Sequence, residues 1–244
     1  MQDDSYYYGH LGKHALSSSS LKKLIQSPKA YKASLVQSEN SQALRDGRLV
    51  HLCVLEPHKV KDLTILEGTK ARKEFKEASA ELGSEMVYTQ SEMESAFWIA
   101  EAVKTNNEAS FLLENCKYEV AGADMIDGLP FRAKADALSN DGTTIIDLKT
   151  TSSIGTDGED FYWSAKKFMY ALQASLYMHI FGATEFIFLV IDKNTKDIGI
   201  FDCSSEFLEL GQNQVAQGIE VYKEYFTTPD SNNLINNNVI RRTL

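Results

Sequence analysis

The sequence predicts one α/β domain in which helices cover a central mixed β-sheet. The first observation is residues 131–151, FRAKADALSNDGTTIIDLKTT, where two strand-like runs flank the hairpin dipeptide Asp141-Gly142. The second is the nearly all-apolar run EFIFLVI, residues 185–191, which is typical of a central strand covered on both faces. Helical patterns with capping residues lie on both sides of these strands and supply the covering layers.

The N-terminal half is predicted to be mostly helical. Serines 17–20 suit the cap of a helix that starts near Ser18 or Ser19, and Pro28 ends or restarts that helix before Leu35. The next predicted elements are a helix from Ser41 to about Leu55, a strand near Val60 to Leu66, a charged helix from Lys70 to Leu82, a helix opened by the Thr89/Glu92 capping box and reaching about Lys104, and a helical turn at Ala109 to Glu114.

The C-terminal half carries the predicted sheet. Its elements are a weakly alternating strand at Cys116 to Ala123, the hairpin around Asp141, a loop at Ser152 to Glu159, a helix from Ala165 to Phe181 ended by Gly182, the strand at Glu185 to Ile191, its hairpin partner at Ile198 to Cys203, and a last helix from Ser204 or Ser205 to about Phe226. We expect residues 1–16 to be an arm, 17–226 to be one domain, and 227–244 to be a flexible tail.

Composition narrows the function classes. The net charge of −9 argues against a protein that coats nucleic acid non-specifically, although it does not exclude a nuclease with an acidic metal site. No apolar run is long enough to span a bilayer, and the acidic N-terminus lacks the apolar core of a signal peptide. We therefore expect no membrane association and a cytoplasmic location. Cys53, Cys116 and Cys203 form no CxxC pair, so neither a zinc site nor a disulfide framework is indicated.

The hairpin concentrates charged side chains on one face. If Asp141 and Gly142 are the two central turn residues, Asp136 lies opposite Asp147, and Lys134 lies opposite Lys149. The Cβ atoms of directly opposed residues are about 4.5–5.5 Å apart, so the two like-charged carboxylates would repel each other. A divalent cation between them would remove this conflict.

The same residues suit phosphodiester hydrolysis. Two carboxylates and a nearby backbone carbonyl are ligands that Mg²⁺ and Mn²⁺ prefer, and Lys149 could hold an attacking water molecule. The alternative is an edge hairpin with scattered surface charges, because D-x-K alone is a common pattern. For His51, on the inward face of its helix, the alternative is a core histidine with a satisfied hydrogen bond. On the helix after the hairpin, Lys166, Tyr170, Gln173 and Tyr177 are predicted to form one stripe.

Five short motifs stand in one order along the chain. They are LSSSSLKKLIQSPKAYKA (residues 16–33), GRLVH (47–51), KADAL (134–138), IIDLKTT (145–151) and Gln173-x-x-x-Tyr177. In this set the chain resembles the RecB-like branch of the PD-(D/E)xK nuclease superfamily, and most of all the exodeoxyribonuclease VIII (RecE-like) nuclease domain. One departure is visible, since Ala135 stands where the family has proline before the first aspartate. Proline has no catalytic group, so this difference has little effect on the roles that the resemblance implies.

The resemblance implies a restriction-endonuclease-like core and assigns roles to residues of the site. Asp136 and Asp147 would hold Mg²⁺, with Mn²⁺ as a substitute, together with the backbone carbonyl of Leu148. Lys149 would position the nucleophile, and His51 would ligate the metal or stand beside it. Glu119 is either a further acidic ligand or an exposed strand charge, and both interpretations stay open.

The resemblance also implies a DNA substrate. Gln173 and Tyr177 would contact the DNA strand or orient the catalytic site, and their i, i+4 spacing puts both on one helix face. Lys134, Arg132 and Arg48 are candidates for phosphate contacts, although solvated edge-strand charges explain Lys134 and Arg132 nearly as well.

The implied activity is a 5′→3′ exonuclease on linear double-stranded DNA that leaves single strands for recombination. The implied partners are copies of the same chain in a ring and a RecT-like single-strand annealing recombinase. An endonuclease or flap nuclease with the same site is the second enzyme hypothesis. A non-catalytic DNA-binding subunit on a nuclease fold is the hypothesis from a different class.

Overall fold

A five-stranded sheet forms the centre of the computed structural model, which describes residues 5–36, 41–236 and 239. The strands are β1 (Thr64–Leu66), β2 (Val87–Thr89), β3 (Cys116–Ile126), β4 (Leu129–Ser139), β5 (Thr144–Thr151), β6 (Glu185–Asp192) and β7 (Ile198–Asp202). Strands β3 to β7 lie side by side in chain order, while β1 and β2 pair separately in parallel. Only the β5–β6 contact of the large sheet is parallel, so the predicted mixed sheet is confirmed.

Helices cover both faces of this sheet. They are α1 (Leu11–His14), α2 (Ser18–Gln26), α3 (Pro28–Ser34), α4 (Gln42–Leu55), α5 (Lys73–Leu82), α6 (Gln90–Thr105), α7 (Asn107–Leu113), α8 (Glu159–Lys167), α9 (Tyr170–Phe181), α10 (Ser205–Phe226) and α11 (Ser231–Asn236). The capping box of Thr89 and Glu92 opens α6 as predicted. Among the described residues, no helix is both long and apolar enough to cross a membrane.

Strand β6 shows why the sheet needs two covering layers. Phe186, Phe188 and Val190 pack with α8 and α9 on one side, whereas Leu189 and Ile191 pack with α4 and α6 on the other. All five side chains are at most 2% exposed. Each buried side chain of this size contributes about 1.5–3 kcal/mol, which makes β6 a main source of the domain's stability.

The hairpin of β4 and β5 has the predicted register. Ala137 pairs with Ile146 and Leu138 with Ile145, as the sequence count required. The ladder then stops, because the two strands separate towards Asp136 and Asp147. The register therefore places both aspartates where the strands part.

The turn of this hairpin differs from the prediction. The N–H of Gly142 donates to the carbonyl of Ser139 over 2.8 Å, so Asn140 and Asp141 are the central residues and Gly142 follows with a φ of +79°. The carboxylate of Asp141 accepts hydrogen bonds from Ser139 and from the backbone and hydroxyl of Thr143. The predicted turn centred on Asp141-Gly142 was wrong because these bonds stabilise a longer loop, which preserves the same register.

The predicted continuous helix from Ala165 to Phe181 was also wrong. The structure has two helices instead, α8 and α9, and the helical backbone is interrupted between them at Met169, whose φ is +49°. In an uninterrupted helix Phe161 and Tyr170 would lie about 180° apart, since each residue turns the helix by about 100°. The break lets both rings pack against Phe188, at 5.9 and 5.6 Å between centroids. Lys166 therefore does not share a helix with Gln173 and Tyr177.

Smaller differences concern the first half. Residues 57–62 form a 3-10 turn that starts at Pro57, so the predicted strand from Val60 shortens to Thr64–Leu66. The charged helix begins at Lys73 rather than Lys70.

The two ends of the described chain contact the domain. Residues Tyr6–His10 form a π-helical turn, Tyr7 is buried, and Leu16 bridges to Phe131 of β4. In α11, within the predicted tail, Ile235 is buried. Residues 1–4, 237–238 and 240–244 lie outside the described residues, and the division into arm, domain and tail stays a prediction.

Candidate active site

Asp136 lies where the β4–β5 ladder ends. Its Oδ2 accepts a hydrogen bond from the backbone N–H of Leu148 over 2.8 Å, so the side chain satisfies a donor that the separated strand no longer pairs. Burial disfavours the charged form of Asp136, but His51, Lys149 and the Leu148 bond outweigh it and lower the pKa of this carboxyl group. Asp136 is therefore held ionised.

His51 extends from α4 towards this carboxylate. Its Nδ1 is 3.5 Å from Asp136 Oδ1, and its Nε2 is 2.9 Å from the carbonyl oxygen of Leu148. Burial opposes protonation, but the charge and hydrogen bond of Asp136 raise the pKa of His51 to about 9. With an acceptor at each ring nitrogen, the arrangement suits an imidazolium that donates twice. His51 is therefore part of the charged site and is not merely a core histidine with a satisfied hydrogen bond.

Glu119 reaches the same point from β3. Its neighbours Tyr118 and Val120 pair with Ala137 and Ala135, which places Glu119 opposite Asp136. Its backbone has a φ of +52°, which is unusual for glutamate. Ligand atoms of His51, Glu119 and Asp136 all lie within 4.8 Å of one another. Burial raises the pKa of Glu119, partly offset by its hydrogen bond with Lys134.

Asp147 is the most deeply buried acid of the site, at 1% exposure. The side-chain amide of Gln173 donates to its Oδ1 over 2.6 Å, and the ammonium of Lys149 contacts its Oδ2. Burial raises the pKa of Asp147, and the nearby charge of Asp136 adds to this, while Lys149 opposes it. The two aspartates therefore differ: the surroundings of Asp136 favour its charged form, whereas those of Asp147 disfavour it.

Lys149 and Lys22 share the ring of Tyr170. The two ammonium groups lie 5.1 and 5.0 Å from its centroid. Burial disfavours the charge of Lys149, but Asp147 and Asp136 raise its pKa. Burial and the charge of Lys149 lower the pKa of Lys22 to about 7. The sequence analysis assigned Lys22 no role, although it lies in the motif at residues 16–33, which served to place a helix cap and to support the family resemblance.

The remaining candidates occupy different positions. Tyr177 shares a side-chain hydrogen bond with Ser18, and burial raises its pKa well above the usual value. Arg132 donates to the carbonyl of Tyr7 and stacks on that ring, while Lys134 pairs with Glu119 at 2.9 Å. Arg48 is exposed on α4, one helical turn before His51. Arg132 and Lys134 thus contact other parts of the protein, and Arg48 faces solvent.

The donor set fits a divalent cation. Glu119 and Asp136 offer carboxylate oxygens beside the imidazole of His51, and Asp147 Oδ2, which contacts the ammonium of Lys149, offers a further carboxylate oxygen nearby. Carboxylates suit Mg²⁺ and Mn²⁺. The close cluster contains Glu119 and His51 rather than Asp147, so a metal role for Asp147 stays a prediction, as does one for the Leu148 carbonyl, which contacts His51.

Comparison with known proteins identifies the family and the fold. The family model described as a PDDEXK-like domain of unknown function (DUF3799) matches residues 17–231. A solved structure from Eubacterium rectale named "Putative exonuclease" is similar with a TM-score of 0.67 and 17% identity, over 100% of this chain and 96% of that one.

A phage-related exonuclease from Haemophilus somnus shows 16% identity over 90% of this chain and 99% of that one, with a TM-score of 0.37, too low to support an argument. No curated protein sequence matches the chain. The likeness to the Eubacterium rectale structure supports the fold, and the family match covers most of the sequence. The chain belongs to the PDDEXK-like family DUF3799.

Proposed function

We propose that the protein is a metal-dependent DNA exonuclease. The observation that carries this proposal is the partly buried cluster in which Asp136, Asp147 and Lys149 meet His51 and Glu119 at the point where β4 and β5 separate. The carboxylates of Glu119, Asp136 and Asp147 repel one another even with their cationic partners in place, and a divalent cation bound among them would relieve this repulsion.

Each residue has a task in phosphodiester hydrolysis. Glu119 and Asp136 would hold the metal ion together with His51, which would release one ring proton to solvent on metal binding, and Asp147 would lie beside them. When bound, the ion supplies positive charge that stabilises the phosphoryl oxygens as the reaction proceeds. Lys149, whose pKa is raised, stays protonated and donates a hydrogen bond that orients the attacking water. Gln173 keeps the Asp147 carboxylate in place.

The metal of the proposal is Mg²⁺, with Mn²⁺ as a substitute. The two carboxylates of the cluster suit either ion, whereas the imidazole of His51 suits softer metals than Mg²⁺. We therefore expect Mn²⁺ to bind at least as tightly as Mg²⁺, which a thermal-shift titration with each ion measures.

Direction, substrate and assembly are finer parts of the proposal. Digestion from 5′ to 3′ on linear duplex DNA, a ring of identical subunits, and an annealing recombinase as partner all rest on the resemblance to the RecE-like domain. Light scattering of the purified protein measures the assembly, and a mass of one subunit would contradict the ring.

Labelled DNA tests the activity. Linear duplex labelled at the 5′ or the 3′ end, and covalently closed circles, are incubated with Mg²⁺, Mn²⁺ or EDTA. We expect the linear duplex to be degraded only with metal, the 5′ label to be released first, and the circles to persist. Cleaved circles would favour an endonuclease. Intact DNA in every metal would favour a non-catalytic subunit and would contradict the proposal.

A further inference from the structure

Helix α8 presents an aromatic–lysine face that the site does not use. This face consists of Tyr162, Trp163, Lys166, Lys167 and Phe168. The three rings are about half exposed, at 48%, 58% and 49% respectively. Lys166 Nζ lies 4.3 Å from the Tyr162 ring and 5.2 Å from the Trp163 ring, and Lys167 Nζ lies 5.5 Å from the Phe168 ring.

The exposure of these rings is not required by the packing of α8. Phe161 and Ala165 are its buried positions and attach the helix to the sheet. Tyr162 and Trp163 instead contact each other edge to face at 5.4 Å, and the indole N–H of Trp163 donates to Glu159 over 3.4 Å. A group of exposed large aromatic side chains marks an interaction surface, because it leaves apolar area in water.

A short row of rings joins this face to the catalytic lysine. The Phe168 ring is 6.0 Å from the Tyr170 ring, and Lys149 Nζ is 5.1 Å from that same Tyr170 ring. The break at Met169 produces this arrangement, because it leaves Phe168 half exposed while Tyr170 turns towards the site. A strand that leaves the active site past Tyr170 would therefore meet Phe168 first and then α8.

We propose that the aromatic–lysine face binds single-stranded DNA, which stacks its bases on Trp163 and Tyr162 and places its phosphates near Lys166 and Lys167. The occupant follows from the chemistry of the face, since unpaired bases stack on exposed aromatic rings and lysines neutralise the backbone. This inference rests on the proposed function. It adds that the protein binds the single-stranded form of its DNA substrate outside the active site.

Two tryptophans make the test direct. Trp163 lies on this face, and Trp98, 69% exposed, lies on α6. The variant Trp98→Phe leaves Trp163 as the reporter, and Trp163→Phe leaves Trp98. Each is titrated in EDTA, which prevents cleavage, with an oligothymidylate of about 20 nucleotides, longer than one binding site. We expect the fluorescence of Trp163 to be quenched and that of Trp98 to stay unchanged.

Affinity provides the second readout. Trp163→Ala should weaken oligothymidylate binding by about 5- to 140-fold, the fold-change of losing one stacked base. Lys166→Ala should weaken it and reduce its salt dependence. Trp98→Ala is the matched control and should bind like the wild-type protein. Circular dichroism checks that each variant is folded.

The outcomes separate this inference from the proposed function. Unquenched Trp163 with unchanged affinity in Trp163→Ala would overturn the inference, even if the protein degrades DNA. Quenching by oligothymidylate without any nuclease activity would support the inference while contradicting the proposed function. An oligomer that Trp163→Ala converts to monomers would instead assign the face to a second copy of the chain and overturn the inference.

Discussion

His51 should make the stability of the metal-free protein depend on pH. The ion pair of its Nδ1 with Asp136, at 3.5 Å, raises the pKa of the imidazole from an ordinary 6.5 to about 9. The folded protein therefore binds this proton more tightly than the unfolded chain does. The stabilisation is complete below pH 6.5 and is lost as the pH rises through 9.

The size of this effect follows from the shift. A rise from 6.5 to about 9 corresponds to about 3 kcal/mol, at about 1.36 kcal/mol per pKa unit. The value is an upper estimate, because 26% of the His51 side chain is exposed and water screens the pair. Lys22 acts in the opposite direction, since its lowered pKa makes the folded state more stable as the pH rises above 7.

Because His51 and Lys22 have opposite effects, the contribution of His51 must be measured against a variant that lacks only the imidazole. Urea unfolding of the wild-type protein and of His51→Gln is measured in EDTA between pH 6 and 9.5. We expect the free-energy difference between them to fall by up to about 3 kcal/mol across this range. Parallel curves would refute the account of His51, because Lys22 and the other titrating groups are common to both proteins.

Three further predictions concern the metal, the positioning amide and a tight helix contact. Metal at about 100 times its dissociation constant should stabilise the wild-type protein by about 2.7 kcal/mol, which raises its melting temperature by about 5–11 °C. Asp136→Asn should lose this stabilisation, and equal shifts in the two proteins would argue against the cluster as the metal site. Gln173→Ala should cost about 1–3 kcal/mol in urea unfolding, because it removes the bond to buried Asp147 Oδ1; an unchanged midpoint would refute the role of that bond. Gly211→Ala should destabilise the folded protein by about 1–3 kcal/mol, because a Cβ at this position would collide with the backbone of α9. Gly47→Ala, where a Cβ would meet open space, should be neutral or stabilising, and similar melting temperatures for the two variants would contradict the described packing.

Much of the site could be predicted from the sequence because strand periodicity is simple. Alternation and the turn signal predicted a register that is confirmed where Ala137 pairs with Ile146 and Leu138 with Ile145, although the ladder ends before Asp136 and Asp147. The turn itself was wrong because Asp141 uses its side chain to stabilise a longer loop. Such side-chain bonds depend on the folded geometry, so a dipeptide pattern predicts the register better than the turn type.

Other features depend on contacts between distant parts of the chain. No glycine or proline marks the break at Met169, which tertiary packing of aromatic rings imposes. The left-handed backbone of Glu119 and the position of Lys22 above Tyr170 follow from the assembled sheet and helices. Local patterns contain no signal for such features, and family resemblance provided the link between His51 and the hairpin.

The most direct test of the central claim is cleavage by a lysine variant. Lys149→Ala is compared with the wild-type protein and with Lys73→Ala, which removes a lysine of α5 whose side chain is 83% exposed. We expect Lys149→Ala to degrade linear duplex DNA at least about 100-fold more slowly with Mg²⁺ or Mn²⁺ while keeping its fold by circular dichroism. Lys73→Ala should match the wild type. Undiminished cleavage by Lys149→Ala would contradict the proposed mechanism.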